Sequence, residues 1–145
     1  MIKILCVGKI KEPYLTELIN DYQKRINKYH KIEIIELKDN VNYQKEIETL
    51  IKNINTKDYN IGLDLNKKSF TSTEFAQKID NYLMKYGNIT FIIGGSNGLN
   101  DEIRNTCQEL ISFSKMTFPH GLFRGILLEQ IYRSFKIINN ETYHK

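Results

Sequence analysis

Cysteine is scarce in this chain of 145 residues, and the two present, Cys6 and Cys107, are too few for a disulfide framework and lack the paired spacing of metal ligands. They are expected as buried or half-buried thiols in a reducing compartment, Cys6 in a strand and Cys107 in a helix. No apolar run approaches the ~18 residues needed to cross a bilayer. Met1 leads at once into strand-like residues, without a basic leader or cleavage site, so a soluble, cytoplasmic protein is expected. The three histidines, His30, His120 and His144, are too scattered for a metal cluster, and no nucleophile elbow is present. Metal hydrolysis and acyl transfer are therefore disfavoured. No glycine precedes Gly8 at the spacing of a phosphate loop. Linkers, internal repeats and low-complexity segments are missing too, which leaves one domain able to bury on the order of 70% of its unfolded surface.

What the chain does contain is an alternation of strand and helix signals. Ile2 to Val7 reads as a buried strand, followed by a turn at Gly8-Lys9. Pro13 suits the first position of a helix, and Leu15, Leu18, Ile19, Tyr22 and Ile26 recur at spacings of three and four to about Asn27. A second strand spans Ile32 to Leu37, and a second helix Tyr43 to Ile54. Tyr59 to Leu65 is the third strand, ending at an Asn66-Lys67-Lys68 turn that places Leu63 and Asp64 near its carboxyl end. Thr71-Ser72-Thr73-Glu74 has the form of a capping box, opening a helix to about Tyr86. This order predicts βαβ units, a parallel sheet and an α/β fold.

The stretch from Asn88 to His120 organises the rest. Ile89 to Ile93 is β-branched and aromatic, the composition of a strand buried on both faces, and it stops at Gly94-Gly95-Ser96-Asn97-Gly98. Such a turn admits positive φ and close approach of backbone to a ligand. Asn100 then predicts an N-cap, with Asp101 and Glu102 in the first helical turn. A further apolar segment, Leu110 to Phe113, leads into Ser114 to Pro119. The ends of two neighbouring strands are thereby expected to face one cleft, where open α/β sheets bind ligands. The glycine turn does not follow the G-x-G-x-x-G spacing, and no acid stands about 20 residues on to hold a ribose, so a dinucleotide site is disfavoured. A turn that merely connects strand to helix remains an alternative.

The formal net charge is only +4, which permits nucleic-acid binding without requiring it. From Leu110 to Leu128, however, Asp and Glu are absent, while Lys115, His120 and Arg124 fall in that window and Lys136, His144 and Lys145 follow. A locally cationic cleft suits a phosphate-bearing partner, and a chance gap in acids is the alternative. The last helix, from about Gly121 to Ile138, carries apolar residues round more of its circumference than one sheet-facing stripe requires. Such a helix needs a second surface, expected to be the same helix of a second subunit across a two-fold axis, with Gly125 allowing close approach. A monomer with an apolar final helix is the other possibility. Glu129 stands four residues before Arg133 and is placed to pair with it.

Taken in order, Ile92 to Leu99 (IIGGSNGL), Ser112 to His120 (SFSKMTFPH), Leu127 to Ile137 (LLEQIYRSFKI) and the ending Tyr143-His144-Lys145 closely resemble the ribosomal large subunit methyltransferase H family. These are small SPOUT-type enzymes that methylate pseudouridine in large-subunit (23S) ribosomal RNA. Val7-Gly8-Lys9 and Leu63-Asp64 extend the likeness over nearly the whole chain. The resemblance implies a single-domain SPOUT-type α/β knot with a mainly parallel sheet and a C-terminal trefoil knot. It further implies a homodimer, S-adenosyl-L-methionine as methyl donor, methylation at the ring N3 of pseudouridine on assembled ribosomes, and no metal or membrane. By residue match it assigns the cofactor pocket to Leu63, Gly94, Phe113, Ser114, Lys115, Met116, Thr117 and Phe118. Arg133, Tyr143 and His144 become the candidates for substrate positioning or proton transfer, with Lys115 and Lys145 for phosphate contact and the tail crossing into the partner's cleft. A catalytically silent nucleotide-binding or ribosome-associated module of the same fold, or a methyltransferase of another RNA, stays open at this point.

Overall fold

A computed structural model describes residues 1–145. Five strands, β1 (Ile2–Val7), β2 (Ile32–Leu37), β3 (Tyr59–Lys68), β4 (Ile89–Ile93) and β5 (Glu109–Ile111), form one parallel sheet in the order β2-β1-β4-β3-β5. Helices α1 (Pro13–Asn27), α2 (Tyr43–Asn53), α3 (Ser72–Lys85), α4 (Asp101–Thr106) and α5 (His120–Ile138) alternate with them.

Strand periodicity assigns the two faces. Ile2, Ile4 and Cys6 of β1, with Ile89, Phe91 and Ile93 of β4, belong to a core shared with α1, α3 and α5. Leu5, Val7 and Ile92 point the other way, into a smaller core with Ile47 and Leu50 of α2 and Ile103 of α4. Both faces are covered, so the central strands are apolar throughout, and every residue of β4 is buried. The capping box of α3 is formed: the Glu74 amide donates to Thr71 Oγ1 at 3.1 Å, and the Thr71 amide to Glu74 Oε1 at 2.8 Å.

Four expectations change. β4 and β5 are not neighbours, because β3 lies between them and pairs with both. β3 does not end before Asn66 either. Asn66 takes φ of 57°, and the pairing slips so that Leu63 and Lys68 both oppose Ile111, which throws Asp64–Lys67 outward as a bulge. The Ser112 hydroxyl holds this bulge, accepting from the Lys67 amide at 2.7 Å and donating to the Asp64 carbonyl at 2.6 Å. Cys107 follows α4 rather than lying in it. Burial pushes both thiols up, to about 11, so neither is a thiolate at neutral pH.

The fourth change concerns α5, much of whose apolar surface already finds partners within the subunit, while Leu122 stays exposed and Phe123, Ile126, Ile137 and Ile138 are half-buried. The helix lies on the sheet between α1 and α3, and a Cβ at Gly125 would sit 2.4 Å from Leu18 Cδ2 of α1. Gly125 thus permits close approach, but to α1. No helix is long and apolar enough to cross a membrane.

Candidate active site

Three pieces of chain meet beyond the carboxyl ends of β3, β4 and β5: the β3 bulge, the glycine turn after β4, and the loop from Phe113 to Pro119. Between them lies a cavity of about 440 Å³, within the range of small-molecule sites. Leu63, Gly94, Phe113, Ser114, Met116, Thr117 and Phe118 line it. Lys115 belongs to the same loop but lies exposed, outside the wall.

The glycine turn is folded on itself. Its Gly98 amide donates to the Gly95 carbonyl at 2.9 Å, and Tyr43 Oη donates to the Gly98 carbonyl at 3.2 Å. Gly98 has φ of 71°, the left-handed conformation that glycine adopts without strain. A Cβ at Gly94 would lie 2.7 Å from the Gly98 carbonyl oxygen, so only glycine lets the two ends of the turn touch. In the opposite wall, of the amides from Phe113 to Phe118 only that of Met116 donates within the chain, to Ser114 Oγ at 3.0 Å. A cavity walled in part by apolar side chains and edged by unused amides fits an adenosine-bearing ligand: apolar side chains for the base, main-chain groups for its polar edge.

Sequence reasoning did not find Arg104, Asn66 or Phe123 in this wall, whereas His120, expected in the cleft as a cation, does line it. Arg104 Nε donates to Asp64 Oδ2 at 2.8 Å and its NH1 to Asp101 Oδ1 at 2.9 Å, fixing α4 to the bulge. Only the shared position of Asp64 and Arg104 at the rim relates them, and no local spacing encodes it. His120 is half-buried at the start of α5. Burial, and then the Arg124 charge, hold its imidazole below the ordinary range, so it is neutral at pH 7. Arg124 is itself buried, donating to Glu36 Oε2 at 2.8 Å and to the Val7 and Gly8 carbonyls at 2.8 and 2.7 Å. The expected cationic cleft is corrected accordingly. Of the three groups in the acid-free window, Arg124 is neutralised, His120 is uncharged, and Lys115 is the free cation.

Arg133, Tyr143 and His144 come together elsewhere. Arg133 Nε donates to Glu129 Oε1 at 3.0 Å, and Tyr143 Oη donates to the same oxygen at 3.2 Å. The guanidinium carbon lies 4.8 Å from the centre of the Tyr143 ring. Arg133 NH1 is 3.0 Å from His144 Nδ1. A guanidinium only donates, so Nδ1 accepts and the ring proton of His144 resides on Nε2. Burial first, then Tyr22 and Glu129, raise the Tyr143 phenol, which stays protonated. The i,i+4 pairing of Glu129 with Arg133 is thus present, and it orients the tail rather than competing with it. From His120 to Arg133 the helix rises about 20 Å. Within one subunit the cavity and the tail cluster are not brought together.

Comparison with known proteins places this architecture. The family described as "Predicted SPOUT methyltransferase" matches residues 1–144. Proteins named ribosomal RNA large subunit methyltransferase H are similar along their whole length. The one from Caldicellulosiruptor saccharolyticus is 46% identical over 154 aligned positions, with all of both chains covered. Those from Natranaerobius thermophilus and Clostridium botulinum are 46% and 45% identical, covering 98% and 99% of each chain. Among solved structures, a "probable methylase family protein" from Haemophilus influenzae superposes with a TM-score of 0.61 at 15% identity, over 99% of this chain and 70% of that one, a likeness of fold. The chain belongs to the SPOUT methyltransferase family, and within it to the group of the ribosomal RNA large subunit methyltransferase H proteins.

Proposed function

We propose that this protein transfers a methyl group from S-adenosyl-L-methionine to the ring N3 of a pseudouridine in large-subunit ribosomal RNA, within assembled ribosomes and as a homodimer. The observation that carries the reading is the cavity at the ends of β3, β4 and β5, whose wall contains seven of the eight residues that the family likeness assigns to the cofactor. Leu63, Phe113, Met116 and Phe118 enclose the adenine, Gly94 keeps Cβ out of its way, and the unused amides of the Phe113–Phe118 loop bind its polar edge. The donor supplies a methyl group already activated on a sulfonium. What remains for the chain is to align the ring nitrogen and assist loss of its proton.

The tail cluster suits the acceptor base. With its proton on Nε2, His144 donates to a ring carbonyl, Arg133 adds positive charge beside it, and both favour a nitrogen that has lost its proton. Lys115 and Lys145 contact backbone phosphates. Because Arg133 stands about 15 Å along α5 from Phe123, the last residue of that helix in the cavity wall, these groups serve the cavity of a second subunit, which supports the dimer. The single SPOUT-type domain, with its C-terminal segment threaded as a trefoil knot, belongs to the same proposal.

Titration of the protein with S-adenosyl-L-methionine, followed by labelled methyl transfer to intact ribosomes and to free ribosomal RNA with mapping of the product base, tests this reading. Saturable binding and one methylated pseudouridine in the large subunit are expected. Binding without transfer would leave a silent nucleotide-binding module.

A further inference from the structure

Behind the glycine turn lies a second hollow of about 710 Å³, at the carboxyl ends of β1, β2 and β4. The β1–α1 connection, the β2–α2 connection and the first turn of α5 form its walls, and it shares Gly95, Ser96, Asn97 and His120 with the cavity described above. Two chambers on either side of one turn are what a group transfer needs: donor in one, acceptor in the other. The second is large enough for a nucleotide.

One side chain in it lacks a structural explanation. Glu46, in the first turn of α2, is 8% exposed, yet it takes part in none of the ion pairs of the chain. Its polar company is the Asn40 backbone amide and the Asp39 carboxylate, which repels it, and burial raises its carboxyl above the ordinary range. Gly95 makes room for it. That glycine has no positive φ, but a Cβ there would lie 2.7 and 2.8 Å from the two carboxylate oxygens. The fold therefore keeps, against the partition between the chambers, a largely buried side chain whose carboxylate no cation pairs.

We propose that this second chamber seats the target base and that Glu46 accepts a hydrogen bond from one of its ring N–H groups. The inference rests on the methyltransferase reading and deepens it. Uridine has one ring N–H, at N3. Pseudouridine, linked to the ribose through carbon, has a second at N1. An acceptor that takes the N1–H while N3 faces the donor selects pseudouridine over uridine. A site built to bond an N–H rejects the analogue without it far more strongly than an apolar pocket rejects a change of shape.

The test is methyl transfer by the full-length protein to ribosomes carrying pseudouridine or uridine at the modified position. Glu46→Leu has similar volume and no acceptor, and removing a carboxylate that no cation pairs should not unfold the chain. Expected is a parent preference for pseudouridine of about 10²-fold or more in kcat/KM. In Glu46→Leu this preference should shrink at least about tenfold, through loss on pseudouridine alone, with S-adenosyl-L-methionine affinity kept. An equal loss on both substrates, or none, overturns it. Ribosomes with N1-methylpseudouridine test the parent directly, independently of any variant's folding. They should be as poor as the uridine form, and methylation at the pseudouridine rate overturns the assignment. A parent that binds S-adenosyl-L-methionine but methylates none of these substrates overturns the methyltransferase reading itself, and this one with it.

Discussion

Arg124 illustrates how a residue legible as a charge turns out to be a brace. Its guanidinium is fixed by one carboxylate and two carbonyls at the carboxyl end of β1, so it ties α5 to the sheet. Arg124→Met keeps the aliphatic stem but takes the charged donor from Glu36, which keeps only the Ile10 amide at 3.0 Å, and leaves the Val7 and Gly8 carbonyls without it. A loss of about 3 kcal/mol in urea unfolding is expected, with cofactor affinity falling less than stability. His30 makes a second case. Its ring stacks on Phe135, its Nε2 is buried without a partner, and burial and then the N-terminal ammonium hold its pKa below the ordinary value. His120 is lowered as well. As pH falls through about 6.5 the unfolded chain takes up protons before the folded one, so stability present above that pH is lost below it. Tm should drop between about pH 7.5 and 5.5. In His30→Phe, which preserves the stack and cannot titrate, the drop should be smaller; an equal drop would remove His30 from the cause.

At the scale of elements, what the sequence shows locally it shows well. The Thr71 box, Pro13 at the start of α1 and the apolar run of β4 each depend on neighbours within a few residues, and each stands where expected. What depends on distant partners was not legible. The β3 bulge is held by a hydroxyl 45 positions away, the insertion of β3 between β4 and β5 leaves no local pattern, and the apolar girth of α5 does not say which surfaces cover it. Glu46 is the same case in the site, since its interest lies in what surrounds it and not in its spacing. The α4 helix, only six residues long, shows how a local signal supports a distant contact. Asn100 Oδ1 accepts from the Ile103 amide at 3.0 Å, and α4 carries the Arg104 that holds Asp64. Asn100→Ala should cost about 1 kcal/mol in chemical denaturation. It should also weaken S-adenosyl-L-methionine binding in calorimetry, because the bulge wall loses its anchor. Stability loss with unchanged affinity would show that α4 supports the core alone.

For the whole molecule, the geometry poses a question of chain identity. The family likeness marks both the cavity and the tail, yet in one subunit they lie at opposite ends of α5, and a closed two-fold pair is the simplest arrangement that brings each tail to a cavity. Most of the inner face of α5 is covered by α1 and α3, which leaves the exposed apolar side chains near its start and on α1 for a partner. Tyr14 and Leu122, 69% and 39% exposed beside the second chamber, are apolar groups suited to it. The arrangement makes a prediction that one-subunit catalysis does not. A chain with a closed cavity, Gly94→Val, and a chain lacking Tyr143–Lys145 should each be inactive alone, the second while still binding cofactor. Mixed through a dissociation and reassociation step, they should recover roughly a quarter of parent activity, since about half the pairs are mixed and each has one intact cavity served by one intact tail. If each tail served its own cavity, neither site of a mixed pair would hold both parts, and methyl transfer to ribosomes would stay at background however long the chains exchanged.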